Sequence, residues 1–328
     1  MKILHIIGNG LDIAHHMKTS YQDFFQYYLD QKTDDQDIAA MKLDIDNQRN
    51  ETWADLEIGL GKYSEQCSSK GVFLKCFADI KEKLTDYLKG ESAKIRLYEA
   101  KSTERFYRFN DLFEPEPASR YNSYVNQFNS HNHEVSIITL NYTETLEQLV
   151  GYKGTPKILS PHATLATIQH IHGILTGKIA MGVNDQSQIA KEVFRGDLDI
   201  EEEFIKPEFN DACMNNKNTI CRDLIEEADI IVLYGSSLGP SDDKWWRLIG
   251  RRMIASTYPL LIYLPYDEDK DLSAEPNRLR RWTKGYVSDI KEKFAITIPE
   301  DLLFNRMCVA INKQLIPLRK VSSPSVEL

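Results

Sequence analysis

The sequence has little of what marks several classes of protein. Its five cysteines are odd in number and include no Cys-x-x-Cys pair, so neither a disulfide framework nor a zinc ribbon is indicated. No run approaches the roughly 18 apolar residues that span a bilayer, and the opening apolar run breaks at His5 and Gly8, unlike a signal peptide. The 40 basic and 49 acidic residues give a net charge of -9, which argues against nucleic-acid binding. We therefore expect a cytoplasmic protein that binds neither membrane nor nucleic acid.

The composition is that of a folded globular chain. Hydrophobic residues make up 42% and charged residues 27% of the 328 positions, and glycine and proline are not enriched. Short β-prone runs occur at residues 2–7, 135–140, 167–172, 229–234 and 260–264, with helical patterns between them. This alternation predicts an α/β fold with a doubly wound, mainly parallel, Rossmann-like sheet.

The predicted strands are unevenly spaced along the chain. Residues 21–133 show helical patterns and no convincing strand, which is too much chain for one crossover, so we expect a large inserted helical subdomain there. Residues 1–20 and 134–316 would then form the nucleotide-binding α/β domain. Within it we expect a hairpin at 173–182 and helices at 188–227. The polar tail, residues 317–328, is expected to be flexible.

The first predicted strand ends in a glycine turn. Gly8, Asn9 and Gly10 precede a predicted helix, where missing Cβ atoms and free amides favour a phosphate. The third glycine of G-x-G-x-x-G is replaced by Ile13, so an ordinary strand-to-helix turn fits the pattern as well. Asp12 is either a ligand for a ribose hydroxyl or a helix cap.

Two later strands also end in polar residues. Asn141 can hold a water or a ribose hydroxyl through its amide, or can form a turn with its own backbone. Thr143 follows it as a further candidate for binding the cofactor. His172 can act as a general base near neutral pH, or can fill a structural role with His170 on the same strand face. No third ligand is suitably spaced, so we expect no metal.

A fourth segment is Tyr-Gly-Ser-Ser-Leu-Gly at residues 234–239. Gly235 permits close backbone approach, and the hydroxyls of Ser236 and Ser237 suit phosphate or ribose. Asp242 and Asp243 then have the composition of a negatively charged first helical turn.

Taken together and in order, these segments resemble the AbiH family of bacterial abortive-infection proteins. The resemblance is carried by GNG-x-D, T-x-N-Y-T-x-T-L-E, I-H-G and Y-G-x-S-L-G-x-S-D, and by TSYQDFF at Thr19 to Phe25, WADLE at Trp53 to Glu57 and FIKP at Phe204 to Pro207. These pieces span roughly residues 3 to 246. The resemblance implies a role in defence against phage.

The AbiH family in turn resembles, more distantly, the NAD-binding fold of sirtuins. That resemblance implies that Gly8 and Gly10 face the pyrophosphate, Asn141 the nicotinamide ribose and the attacking water, and His172 the position of the base. Ser236 and Ser237 would face the adenosine half of the dinucleotide. Thr143 stands where sirtuins have Asp, and the zinc-binding cysteine pairs are missing, so lysine deacylation is disfavoured.

The expected function is hydrolysis of NAD at its nicotinamide–ribose bond by a defence effector, with NAD as substrate. Two alternatives stay open: a sensor that binds NAD or ADP-ribose without cleaving it, and a nucleotide phosphohydrolase with a metal on Asp12, Asp242 and Asp243. A phage-derived trigger, a regulatory protein and a second copy of the chain are the partners considered.

Overall fold

The computed structural model of the chain describes residues 1–94, 98–128, 132–255, 259–266 and 276–320. The strands are β1 Lys2–Ile7, β2 Tyr98–Ala100, β3 His133–Thr139, β4 Lys157–Ser160, β5 Ala163–His170, β6 Ile230–Tyr234, β7 Leu260–Leu264, β8 Met307–Val309 and β9 Leu318–Lys320. The α-helices are α1 Gly10–Ala14, α2 Tyr21–Asp30, α3 Gln36–Gln48, α4 Leu56–Tyr63, α5 Lys70–Ser92, α6 Pro115–Val125, α7 Thr145–Val150, α8 Leu198–Phe204, α9 Lys206–Ala212, α10 Lys217–Glu227, α11 Asp243–Ala255, α12 Pro276–Lys293 and α13 Glu300–Asn305.

Seven strands form one mostly parallel sheet, as the alternating pattern predicts. Their order is β4-β5-β3-β1-β6-β7-β8, and β4 is antiparallel to β5 while the other neighbours are parallel. The chain places β3 and β5 on one side of β1 and β6, β7 and β8 on the other. The sheet order therefore reverses at β1, which opens a crevice at the carboxyl ends of the central strands.

Helices cover both faces of this sheet. Ile3 and Ile7 of β1 belong to a core that includes side chains of α6 and α7, whereas Leu4 and Ile6 belong to a core with side chains of α10, α11 and α12. This division follows the alternation of side chains along a strand. The central strands are accordingly buried on both sides and read as continuous apolar runs.

The helices that follow β1 have a core of their own. Side chains of α2, α3, α4 and α5 pack with residues 175–205, among them Phe204, at a distance from the two sheet cores. All four of these helices begin at a side chain that accepts an amide hydrogen: Ser20, Asp35, Asp55 and Ser69. Residues 106–124, in contrast, pack on the sheet. The division into domains stays a prediction.

Several expected elements differ in the structure. Residues 98–100 form β2, so the segment 21–133 is not free of strands, and β2 pairs with β9 at residues 318–320. The predicted flexible tail was therefore wrong at its start, and residues 321–328 lie outside the described part. The expected hairpin at 173–182 is a single bridge between Gly173 and Ile179. The helical stretch at 188–227 is divided by Ile205, which bridges to Val183.

No helix within the described ranges is long and apolar enough to cross a membrane. This agrees with the absence of long apolar runs in the sequence.

Candidate functional site

The carboxyl ends of four strands lie level with one another. Ile7 is in register with Thr139 and with Tyr234, and Thr139 is in register with His170. The chain therefore delivers the glycine turn, Asn141, His172 and the Gly235 segment to one edge of the sheet. Regular pairing of parallel strands is enough to bring these four segments together.

A cavity of about 540 Å³ lies at this edge. All ten residues predicted for the site line it: Gly8, Asn9, Gly10, Asp12, Asn141, Thr143, His172, Gly235, Ser236 and Ser237. The helices α2 to α5, which we call the helical layer, also line the cavity. Their lining residues are Tyr21, Gln22, Asp55, Glu57, Leu84 and Leu88. The sequence prediction thus identified the sheet side of the cavity and left out the helical side.

The glycines of the turn pack against another turn. A Cβ on Gly8 would lie 2.7 Å from the carbonyl oxygen of Gly235, and one on Gly10 would contact the Gly235 backbone as closely. The amide of Gly8 donates to Tyr234 O at 2.9 Å, and that of Gly10 to Gly235 O at 2.6 Å. These two amides are therefore not available to a phosphate, because they already donate to the end of β6 and the turn after it.

Asn9 links the turn to the helical layer. Its Nδ2 donates to Thr19 O at 2.7 Å, and its Oδ1 accepts from Thr19 Oγ1 at 2.7 Å. Thr19 directly precedes Ser20, whose side chain caps α2. The side chain of Asn9 therefore fixes the start of the helical layer over the sheet edge.

The loop after β6 retains two backbone donors. Gly235 has a φ of 65°, and the amides of Ser236 and Ser237 donate to no acceptor in the described residues. Ser236 Oγ accepts from the amide of Leu238 at 3.1 Å, which holds the loop in its turn. This loop therefore offers backbone donors to an anion in the cavity.

Asn141 lies where two strands end. Its Nδ2 donates to Gly8 O at 3.3 Å, its carbonyl oxygen contacts Nδ1 of His170 at 2.9 Å, and its side-chain oxygen has no partner in the part of the chain that is described. Only 7% of the residue is exposed. The amide is thus oriented by the backbone of β1 and keeps an acceptor for a water or a hydroxyl.

Asp12 is a buried carboxyl beside Thr143. Its Oδ2 accepts from Thr143 Oγ1 at 2.7 Å, while Oδ1 has no partner among the described residues. Burial raises the pKa of Asp12 to about 6, against the effect of the hydroxyl of Thr143. The carboxyl therefore changes its charge close to neutral pH.

His172 forms a pair with Asp242. Its Nε2 lies 2.9 Å from Asp242 Oδ1, and its Nδ1 has no partner within the described ranges. An ionised carboxylate only accepts, so Nε2 carries the proton and Nδ1 holds the lone pair in the neutral ring. The imidazole is thus oriented in the way of a general base, with 3% of its surface exposed.

Lys206 connects this pair to Glu57. Its Nζ donates to Asp242 Oδ1 at 2.9 Å and to Glu57 Oε2 at 2.8 Å, and only 3% of the Lys206 side chain is exposed. Glu57 Oε1 also accepts from the amide of Gly182 at 3.1 Å and from the hydroxyl of Tyr142 at 3.2 Å. We call Glu57, Lys206, Asp242 and His172 the buried charge network.

The network sets the charge of its members. Burial opposes ionisation of Asp242, but the charge of Lys206 and the hydrogen bonds from His172 and Lys206 hold its pKa well below the ordinary value. Burial raises the pKa of Glu57 above its ordinary value, although Lys206 lies beside it. The two carboxylates raise the pKa of Lys206 in spite of its burial. Asp242 is therefore the carboxylate most strongly held in its ionised form, next to His172.

Glu57 and Lys206 were not predicted as site residues. Both occur in motifs that the sequence displays, Glu57 at the end of WADLE and Lys206 within FIKP. A charged residue next to apolar ones in each motif was the signal available. Asp242 was considered as part of a helical first turn; it ends the 3-10 helix Pro240–Asp242 before α11.

The three aspartates considered for a metal do not meet. Asp243 pairs with Arg247 on the exposed surface, Asp242 with Lys206, and Asp12 with Thr143. Across the described residues there is no group of three or more His, Cys, Asp or Glu side chains placed to hold a metal ion.

A protein-family model described as "Bacteriophage abortive infection AbiH" matches residues 4–263, most of the chain and nearly all of the cavity lining. The chain belongs to the AbiH family. Comparison with curated proteins gives no match. The AbiH match includes both Glu57 and Lys206, so the buried charge network lies wholly within the family's region.

Proposed function

We propose that this AbiH protein binds NAD in the cavity at the sheet edge and hydrolyses its nicotinamide–ribose bond. Membership of AbiH assigns the chain to phage abortive infection, and loss of NAD would stop the metabolism of an infected cell. The observation that carries the proposal is the orientation of His172 by Asp242, 2.9 Å away, in the same cavity as Asn141 and the Ser236–Ser237 loop.

The topology supports a dinucleotide as the ligand. Counting only the mutually parallel strands along the chain, their spatial order is third, second, first, fourth, fifth, sixth. This is the order of doubly wound sheets that bind dinucleotides across the crevice where the order reverses. The likeness to the sirtuin type of this fold is part of the proposal.

Different residues of the cavity would contact the two halves of the dinucleotide. The loop at Ser236 and Ser237 offers free amides and hydroxyls to the pyrophosphate and adenosine half. Asn141, His172 and Asp12 offer an amide oxygen, an imidazole lone pair and a carboxyl to the nicotinamide ribose. Gly8 and Gly10 act indirectly, by allowing the β1 and β6 turns to meet.

The reaction needs few groups. The bond between C1′ and the pyridinium nitrogen breaks, its electron pair stays with nicotinamide, and nicotinamide leaves as a neutral molecule. A water held by Asn141 Oδ1 forms the new bond to C1′, and His172 Nδ1 accepts the proton that the water loses. The products are nicotinamide, ADP-ribose and a proton. The helical layer covers part of the cavity and limits the access of bulk water to the cationic centre.

Asp12 offers an answer to the replacement of the sirtuin Asp by Thr143. The carboxyl of Asp12 is 2.7 Å from the hydroxyl of Thr143, so a carboxyl is still available beside that position. It belongs to the segment that follows β1 and not to the segment that follows β3. We propose that Asp12 accepts a hydrogen bond from a ribose hydroxyl through its unpartnered Oδ1. Its raised pKa makes this interaction dependent on pH near 6.

A binding module that senses NAD or ADP-ribose is the second candidate. Its support is the burial of the reacting groups, because His172 and Asp12 are 3% and 1% exposed. A cavity that holds its ligand without admitting water would bind and not cleave. This candidate uses the same residues and differs only in turnover.

The test is incubation of the purified protein with NAD, followed by separation and mass analysis of nicotinamide, ADP-ribose and AMP. His172→Ala and Asn141→Ala are expected to abolish nicotinamide release while still folding and unfolding in one cooperative transition, as the parent does. His162→Ala, at an exposed histidine outside the cavity, is the control and should keep full activity. Saturable NAD binding without products favours the sensor, and release of AMP favours the phosphohydrolase.

A further inference from the structure

We propose that the cavity selects a dinucleotide whose only anionic group is its pyrophosphate, so that NAD+ is accepted and NADP+ is rejected because of its 2′-phosphate. The inference rests on the proposed function, since it concerns the same cavity. It specifies the substrate class of that cavity and holds equally for an enzyme and for a sensor.

The charged side chains that line the cavity have one sign. They are the carboxyl groups of Asp12, Asp55, Glu57 and Asp242, and no Lys or Arg occurs among the described lining residues. A phosphate monoester carries close to two negative charges at neutral pH. Placing that additional charge among carboxylates would cost binding free energy, because these carboxylates are buried or half-buried and the repulsion is screened less there than in bulk water.

The two lysines nearest the lining do not change this balance. Lys206 lies behind the cavity wall, and its ammonium is already shared by Glu57 and Asp242, which leaves that group of three with one net negative charge. Lys293 donates to the backbone oxygen of Ser237 at 3.1 Å from the exposed side of the loop. Water screens an exposed ammonium, so Lys293 adds little attraction for either dinucleotide.

Asp55 is the carboxylate placed to distinguish the two dinucleotides. Its Oδ1 accepts from the amides of Glu57 at 3.0 Å and of Ile58 at 3.2 Å, at the start of α4. Its Oδ2 would lie 3.3 Å from a Cβ on Gly239, so it stands beside the loop proposed for the adenosine half. The helix cap holds this carboxylate in place, where it can accept from a ribose hydroxyl and repels a phosphate.

Two buried atoms indicate that the cavity is shaped for a polar ligand. Asp12 Oδ1 and His172 Nδ1 lie in the lining, both residues are more than nine-tenths buried, and neither atom has a partner in the described parts of the chain. Buried polar atoms without partners are costly. Hydroxyl groups of a ribose would satisfy a carboxylate and an imidazole lone pair alike.

The test is calorimetric titration with NAD+ and with NADP+, in the His172→Ala background so that hydrolysis does not contribute heat. NADP+ should bind at least about tenfold more weakly than NAD+, as repulsion between like charges at close range predicts. Asp55→Asn keeps the helix cap and removes the charge, so it should reduce the ratio of the NAD+ and NADP+ affinities severalfold.

Asp35→Asn is the matched control. Asp35 caps α3 in the same way, accepting from the amides of Asp37 and Ile38, but it lies outside the cavity lining. This variant should leave the ratio of the two affinities unchanged. Lys293→Met should leave both affinities nearly unchanged.

The outcomes separate this inference from the proposed hydrolysis. Equal affinities for NAD+ and NADP+, or a ratio that Asp55→Asn leaves unaltered, overturn the inference while hydrolysis of both dinucleotides can still occur. Selective binding of NAD+ without release of nicotinamide by the parent protein supports the inference and contradicts the hydrolysis. Binding of neither dinucleotide overturns both.

Discussion

On the β1 and β6 side of the cavity the chain packs backbone against backbone, whereas on the β5 and α4 side it packs charge against charge. Gly8 and Gly10 meet Gly235 so closely that no side chain fits between them. Across the cavity, Glu57, Lys206, Asp242 and His172 form a buried network of hydrogen-bonded ions. The glycine motif that is most visible in the sequence therefore forms one wall of the cavity. The side chains proposed to carry out the reaction come from residues that are far apart in the chain.

On the charged side of the cavity, the substitution with the largest expected effect on stability is Lys206→Met. It leaves Glu57 and Asp242 buried without their shared cation, and loss of one partner from a buried ion pair costs about 3–5 kcal/mol of unfolding free energy. Denaturant unfolding measures this. Lys2→Met, at a pair that is half exposed, is the control and should change stability by less than about 1 kcal/mol.

A second variant decides whether charge or packing causes that loss. Glu57→Gln combined with Lys206→Met removes one carboxylate and the cation together, which leaves Asp242 with His172. The double variant should be more stable than Lys206→Met alone. If it is no more stable, the role of Lys206 is packing and not charge.

Gly10→Ala tests the backbone side. Its Cβ would overlap the Gly235 backbone, and relieving such overlap costs about 1–3 kcal/mol. Gly90→Ala in α5 is the control, because no atom lies within 4 Å of its added Cβ and alanine favours a helix by about 1 kcal/mol. Unchanged stability in Gly10→Ala would mean that the glycine serves a ligand instead.

The smallest effect concerns Asp12 and depends on pH. The folded-state pKa of about 6 exceeds the ordinary 3.8, so the protonated carboxyl stabilises the fold fully below pH 3.8, and this contribution is lost as pH rises through 6. Asp12→Asn removes that dependence. Relative to the parent, its unfolding free energy should rise by about 2 kcal/mol between pH 4 and pH 7. A constant difference across that range would contradict the raised pKa.

Sequence reasoning predicted the parts of the fold that are locally encoded. The β-prone runs at β1, β6 and β7 and the polar residues that follow them are visible in short windows, and parallel pairing then aligns their ends. β2 and β9 were missed because strands of three residues have no periodicity, and they pair residues more than 200 positions apart. Residues 106–124 were assigned to the insertion because their helical pattern does not reveal which surface they cover.

In the candidate site, too, the residues that follow a local pattern were predicted and the others were not. The ten predicted residues follow strand ends, so a local pattern places them in the cavity lining. Glu57 and Lys206 are 149 positions apart, and only the packing of α4 against the sheet edge brings their charges within 2.8 Å. The free amides of Ser236 and Ser237, and the engaged ones of Gly8 and Gly10, depend on how two turns meet and cannot be read from composition.

The most direct measurement is the time course of nicotinamide release from NAD by the parent protein, by His172→Ala and by Asp242→Asn. Asp242→Asn keeps the size of the side chain beside His172 but no longer holds the proton of His172 on Nε2, so the rate of this variant should fall at least about a hundredfold. The rate of His172→Ala should fall to background. Equal rates in the three proteins would contradict an oriented histidine base in this cavity.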